Sequence, residues 1–311
     1  MKVAVTGGSG FIGSHVVDKL VAAGHRVVVI DKHPPTRPGA TFKEVDIADL
    51  PGLVRATAGC DAVFHLAGVA NVNDALADPS GTFEINVAGT ARVWEAARRN
   101  QVSRTVLAST VWVYSAAVGS GPVSEDTPFD IGTSGHVYTA SKIAAELVAT
   151  SYGELYKQPF TILRYGIPYG PRMREELVLP RFVRAAMAGE KITIQGDGLQ
   201  YRNYIYVEDL ADAHVRALAE AGENQTFNLE GPEQVSVRRI AELVRELVNP
   251  QLEIEFVPAR PGDFTGRPVS AEKAERLLGW QASTPFDDGV RRYLDWWPAE
   301  RDDTAERAGE G

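Results

Sequence analysis

The sequence predicts an α/β fold, a Rossmann-type doubly wound parallel sheet with a smaller mixed α/β domain. Three observations predict it. Short continuous apolar runs recur between helical stretches, at residues 3–5, 26–30, 62–66, 105–108 and 160–163, and strands covered on both faces read as such runs. A glycine-rich turn joins the first run to the first helix, the order of a phosphate-binding βα unit. After about Tyr169 the pattern changes to one helix (179–188), short strands (192–195, 204–207) and proline-glycine turns such as Arg260-Pro261-Gly262-Asp263.

The turn reads Gly7-Gly8-Ser9-Gly10-Phe11-Ile12-Gly13, with Gly7, Gly10 and Gly13 three apart. Glycine there lets the backbone turn tightly and approach a pyrophosphate, and lets helix and strand pack closely. The phosphates would meet the positive end of the helix at 11–23. The strand at 26–30 runs into Asp31. A carboxylate about 20 residues beyond the loop accepts hydrogen bonds from an adenosine ribose and repels a 2'-phosphate, so Asp31 favours NAD over NADP. Lys32 beside it could tolerate that phosphate. Asp46 and Ile47, after the third strand, could meet the adenine, and Leu66-Ala67-Gly68 ends the fourth strand with residues small enough to let a dinucleotide pass.

Helices are expected over 79–99 and 137–156. The second carries Tyr138 and Lys142, four apart and so on one face. An ammonium beside a phenol favours the phenolate and lowers its pKa from about 10, which suits a general base near neutral pH. Ala108-Ser109-Thr110, at the end of an apolar strand, could hold a sugar hydroxyl or ketone in register with Tyr138.

The glycine loop, His65-Leu66-Ala67-Gly68, Asn86-Val87-Ala88-Gly89-Thr90, the Tyr138/Lys142 pair and Leu163-Arg164-Tyr165 together resemble the extended short-chain dehydrogenase/reductase family. Its nucleotide-sugar branch is resembled by 196–209, by Arg260-Pro261-Gly262-Asp263 and by Leu278-Gly279-Trp280. The resemblance spans 2–297. It implies a Rossmann domain holding NAD tightly and a smaller domain clamping a nucleoside-diphosphate sugar, with a UDP-sugar favoured. It implies Thr110, Tyr138 and Lys142 as the catalytic set, Lys142 also holding the nicotinamide ribose. Phe11, Ile12, Ser109, Tyr165 and Ile167 join the cofactor contacts. Arg202 and Arg260 would bind the diphosphate, since a guanidinium donates bidentate bonds to phosphate oxygens. Val178, Arg181, Gln195 and Asp263 complete the substrate set, and no metal is implied.

Dehydratases of this family carry Asp-Glu directly after the catalytic threonine, and decarboxylases keep a glutamate there. Here the residues are Val111 and Trp112, and neither exchanges a proton. This favours epimerisation at the sugar C4 through a transient 4-ketose. A 4-ketoreductase using the same residues is the alternative, and an NAD-binding regulator is a third reading, against which the intact Tyr138/Lys142 pair speaks. Two departures bear on the sugar pocket: Ile167 stands where the family usually has asparagine, and Trp112 where small or acidic residues are usual.

The chain has 311 residues, is 44% hydrophobic and carries a net charge of -9. That charge argues against a nucleic-acid footprint, which needs a basic face. The single Cys60 excludes an intramolecular disulfide, and no apolar run is long enough to span a bilayer, so a cytoplasmic protein is expected. The expected division is a Rossmann domain over 1–168 with 204–220 packing back onto it, a substrate domain over 169–203 and 221–297, and a mobile charged tail over 298–311. The resemblance implies a homodimer built on the helices at 79–99 and 137–156, where Ala91, Val93, Ala96, Ala97, Ala144, Ala145 and Val148 offer small, apolar surface.

Overall fold

The computed structural model describes residues 1–130, 132, 135–258 and 267–308, with 298–308 as backbone only. Its strands are β1 (Lys2–Thr6), β2 (Arg26–Asp31), β3 (Thr41–Glu44), β4 (Ala62–His65), β5 (Arg104–Thr110), β6 (Phe160–Tyr165), β7 (Ile167–Tyr169), β8 (Ile192–Gln195), β9 (Tyr201–Tyr206), β10 (Gln225–Leu229), β11 (Gln234–Ser236) and β12 (Ile254–Val257). The chain divides into two compact units: Met1–Tyr165, Leu210–Leu229 and Arg267–Gln281 form the first, and Gly166–Asp209, Glu230–Gly266 and Ala282–Gly311 the second.

The first unit holds a seven-stranded parallel sheet in the order β10-β6-β5-β4-β1-β2-β3. The chain winds outward in opposite directions from β1 and β4, and a ligand crevice forms beyond the carboxyl ends of the strands at such a switch point. Register brings Thr6 beside Ile30 and His65, and Thr110 beside Tyr165. The glycine loop and the Ser109-Thr110 pair therefore leave the sheet at the same edge. β4 and β5 are buried along their whole length. Helices Leu50–Ala56, Thr90–Arg99 and Val137–Tyr156 bury Leu53, Trp94, Ala97 and Ala149 with Val28, Val63, Leu107 and Ile162 of the sheet. Each large aliphatic side chain so buried contributes about 1.5–3 kcal/mol.

Three findings differ from the sequence expectation. The helix at 79–99 is three consecutive segments, Pro79–Phe83, a π-helical stretch Glu84–Gly89, and Thr90–Arg99. Val93, Ala96, Ala97 and Ala145 face their own sheet, fully buried in the core, and so offer nothing to a second copy. Residues 225–229 form β10, whose ladder lies on β6, so this stretch and 267–281 belong to the first unit, while 204–206 lie in β9 of the second. Short mixed segments such as Gln225-Thr226-Phe227-Asn228-Leu229 carry no local mark of the sheet they join.

The second unit has two small sheets, β11-β9-β7 and β12-β8, and helices Val178–Met187, Val237–Val248 and Phe286–Ala308. The last helix runs into the stretch assigned on sequence to the tail. Among the described residues no helix is long and apolar enough to cross a membrane.

Candidate active site

The glycine loop owes its path to two close approaches. Gly7 has φ +71°, and a Cβ there would lie 2.6 Å from the Ala67 nitrogen; a Cβ on Gly13 would lie 2.0 Å from the Gly7 oxygen. No side chain fits at either place. Gly7 N–H donates to the Ile30 carbonyl at 3.0 Å, and Gly10 N–H to the Gly7 carbonyl at 3.1 Å. Gly10 caps helix Phe11–Ala22 with no side chain, and the first turn holds no acidic residue. Its opening amides, from Phe11 and Ile12 onward, keep their affinity for an anion. This cradle fits the pyrophosphate of a dinucleotide.

Asp31 ends β2 with its carboxylate accepting from the amides of Ser9 (3.1 Å), Lys32 (2.8 Å) and His33 (3.3 Å). The loop and the carboxylate are thereby tied together. Lys32 reaches Asp46 at 3.7 Å rather than standing alone, and Ile47 is buried. On the β4 side, His65 sits in an oriented chain: its ring bonds Thr6 Oγ1 at 2.8 Å and Thr90 Oγ1 at 3.0 Å, and Thr90 donates to the Asn86 carbonyl at 2.5 Å. Burial, with help from Lys142, lowers the His65 pKa to about 3, so it is a neutral structural ring. Asn86, inside the π segment, clasps Val69 through both backbone groups at 2.8 and 3.0 Å and donates to Ser141 at 2.9 Å.

Tyr138 and Lys142 lie one turn apart on helix Val137–Tyr156, both buried. Lys142 Nζ donates to the Ala108 carbonyl at 3.1 Å, and a Cβ on Gly68 would lie 3.6 Å from that nitrogen. Burial lowers the Lys142 pKa to about 8, with the Glu146 carboxylate opposing. Ser109 Oγ donates to Glu146 Oε1 at 2.5 Å, and Arg164 grips both oxygens of Glu146 at 3.0 and 2.7 Å. Arg164 also donates to the Tyr114 hydroxyl at 2.8 Å. Thr110 Oγ1 accepts from the Trp112 amide at 3.2 Å, which leaves its own proton for another acceptor. Tyr165, beyond Thr110 on β6, bonds His214 at 2.6 Å, and burial raises its phenol well above the ordinary value.

Helix Val137–Tyr156 is capped by His136, whose Nδ1 accepts from the Thr139 amide at 3.2 Å. An accepting Nδ1 assigns the ring proton to Nε2. The ring stacks on Tyr138 with centroids 6.2 Å apart and planes at 26°, and meets the Trp112 indole at 5.6 Å.

The structure thus joins Gly7, Gly10, Gly13, Asp31 and Ala67 in one cradle, and Gly68, Ser109, Thr110, Tyr138 and Lys142 around the ends of β4 and β5. Ile167, Val178, Arg181, Gln195 and Arg202 stand on separate elements of the second unit: β7, the helix Val178–Met187, β8 and β9. Arg260 and Asp263 lie outside the described residues. Sequence reasoning missed the roles of Glu146, Arg164 and His136. Glu146 was within reach of it, being one further turn along the face that carries Tyr138 and Lys142. It also missed Glu230 of the second unit, a carboxyl that burial pushes up to about 8 against a hydrogen bond from Asn203.

A switch-point glycine cradle and a Tyr-x-x-x-Lys helix beside a strand-end threonine define a dinucleotide-dependent enzyme of the extended short-chain dehydrogenase class. The chain belongs to the NAD dependent epimerase/dehydratase family, whose model matches residues 3–229. It is 33% identical over 312 residues to the UDP-glucose 4-epimerase of Mycolicibacterium smegmatis, covering 96% of this chain and 98% of that protein. It is 30% identical over 336 residues to dTDP-glucose 4,6-dehydratase 1 of Escherichia coli, covering 96% and 92%. The solved structure of UDP-glucose 4-epimerase from Thermotoga maritima with UDP-glucose matches with a TM-score of 0.88 at 29% identity, over 96% of this chain and 99% of that one. Similar scores thus fall on enzymes of different reactions, and the reaction turns on individual residues.

Proposed function

We propose that this enzyme is an NAD-dependent 4-epimerase of a nucleoside-diphosphate hexose, a UDP-sugar foremost. One observation carries the reading: Thr110 is followed by Val111 and Trp112, so the segment offers no acid–base pair for eliminating water across two sugar carbons. The glycine cradle and Asp31 would hold NAD, whose nicotinamide would supply reversible hydride acceptance at the sugar carbon. Tyr138 takes the proton of the sugar 4-hydroxyl at its phenolic oxygen and later returns it to that same oxygen, once the ketose has turned to present its other face. Lys142, charged at neutral pH, favours the phenolate. The free proton of Thr110 bonds the sugar oxygen and keeps it in register through the ketose stage. Arg202 and Arg260 hold the diphosphate while the sugar turns. On this reading the enzyme is a homodimer that works in the cytoplasm.

The test is to release and identify the cofactor of the purified protein, then to offer UDP-glucose and UDP-galactose with no cofactor added. Retained NAD and interconversion of the two sugars are expected, with Tyr138→Phe lowering kcat by at least about 100-fold. A 4-keto-6-deoxy product, or turnover only of a keto-sugar with stoichiometric NADPH consumption, would replace the reading with a dehydratase or a ketoreductase.

A further inference from the structure

Two aromatic side chains outside the cofactor cradle meet where two helical segments begin. Thr110 caps the turn Val111–Ala116 by accepting the Trp112 amide, and His136 caps helix Val137–Tyr156 by accepting the Thr139 amide. Trp112 lies two residues after Thr110, and His136 two before Tyr138. Indole and imidazole meet at 5.6 Å, and the imidazole stacks on the phenol at 6.2 Å. Thr110 thus holds the Trp112 amide, the Trp112 indole meets His136, and His136 stacks on the Tyr138 ring, so the four residues form one run from Thr110 to Tyr138. We propose that His136, between Trp112 and Tyr138, is a positioning residue that holds the Tyr138 phenol in register with the Thr110 hydroxyl. The proposal rests on the reading that these two hydroxyls serve the sugar.

Serine or asparagine would cap the helix as well as histidine, and phenylalanine would stack as well, but only a neutral imidazole does both. Protonation ends the first role. An imidazolium donates from both nitrogens and cannot accept from the Thr139 amide, and its charge is unfavourable at the positive end of a helix. The titratable group its ring faces on its own helix is Tyr138; from the turn Val111–Ala116 it faces an indole, which does not titrate. Burial lowers the His136 pKa below its ordinary 6.5, so the cap is intact at neutral pH and fails in acid.

His136→Asn keeps the cap acceptor and deletes the aromatic face. In the full-length holoenzyme it should leave the Tm unchanged, lower kcat about 10- to 100-fold with sugar KM unchanged, and move the acid limb of the pH profile. Trp112→Leu, acting from the other side of the contact, should lower kcat similarly, and the double variant should lose little more. Nitrogen-15 spectra of the six histidines, with His136→Asn identifying the signal, should show the Nε2–H tautomer at neutral pH giving way to imidazolium below pH 6.5. Wild-type kcat and pH profile in His136→Asn would overturn the proposal and leave the ring as a cap alone. A ring protonated on Nδ1 at neutral pH would overturn it too. That second readout needs no turnover, so it separates failure of this contact from failure of the epimerase reading.

Discussion

Burying an ammonium without a carboxylate in contact is unfavourable, and Lys142 shows the consequence. Its pKa falls from 10.5 to about 8, burial outweighing Glu146. Between those values the unfolded chain holds a proton on this lysine that the folded chain has released. Stability of the cofactor-free protein therefore rises with pH from about 8 to 10.5, by roughly 1.4 kcal/mol per unit from this one group. Below that window the charged lysine is a standing destabilisation kept for its place beside Tyr138. Lys142→Met should abolish turnover, unfold at higher denaturant at pH 7, and lose the alkaline rise. Denaturant unfolding across that pH range checks it. A slope unchanged by the substitution would show that Lys142 is not the group that titrates.

At the scale of elements, the π segment Glu84–Gly89 carries one side chain that ties three parts of the chain together. Asn86 satisfies the backbone N–H and carbonyl of Val69 at once and reaches Ser141, which binds the stretch after β4 to helix Val137–Tyr156. Such π turns concentrate at functional sites. Asn86→Ala should leave two backbone groups without these partners and destabilise by about 2–4 kcal/mol. Urea unfolding gives the magnitude, and hydrogen exchange at the Val69 amide should quicken; protection there as in the wild type would show that the clasp is dispensable.

This pattern explains what could be read from the chain. Helix Val137–Tyr156 and strands β2, β4, β5 and β6 announce themselves through local periodicity. Gly7 and Gly13 do so because the need for glycine is local to the turn. Asn86 stands out only as part of a motif of the family resemblance; its clasp gives no local sign, because its partners lie 17 and 55 residues away in sequence and an 11-residue helical window cannot register them. His136 hides for another reason. A histidine before a helix reads as an ordinary polar cap, and only folding sets it against Trp112.

At the scale of the whole molecule, the buried Val93, Ala96, Ala97 and Ala145 move the question of assembly to other residues on the same elements. Leu76, Phe83, Ile85 and Leu147 are exposed large apolar side chains. They stand on Val72–Ala77, Pro79–Phe83, Glu84–Gly89 and Val137–Tyr156, segments that pack on one another. Apolar side chains gathered on adjoining exposed elements mark an interaction surface. A two-fold interface is self-complementary, so one such surface can serve both copies. Each copy carries a net charge of -9, and like charges oppose association until salt screens them. Light scattering at micromolar protein should give twice the chain mass, with dissociation on dilution more pronounced at low salt. The double variant Phe83→Glu and Leu147→Glu should give the monomer with its fold retained by circular dichroism, since neither side chain contributes to the core. A wild-type monomer at those concentrations would end the dimer proposal, whereas a dimer unaffected by both substitutions would move the interface to another face.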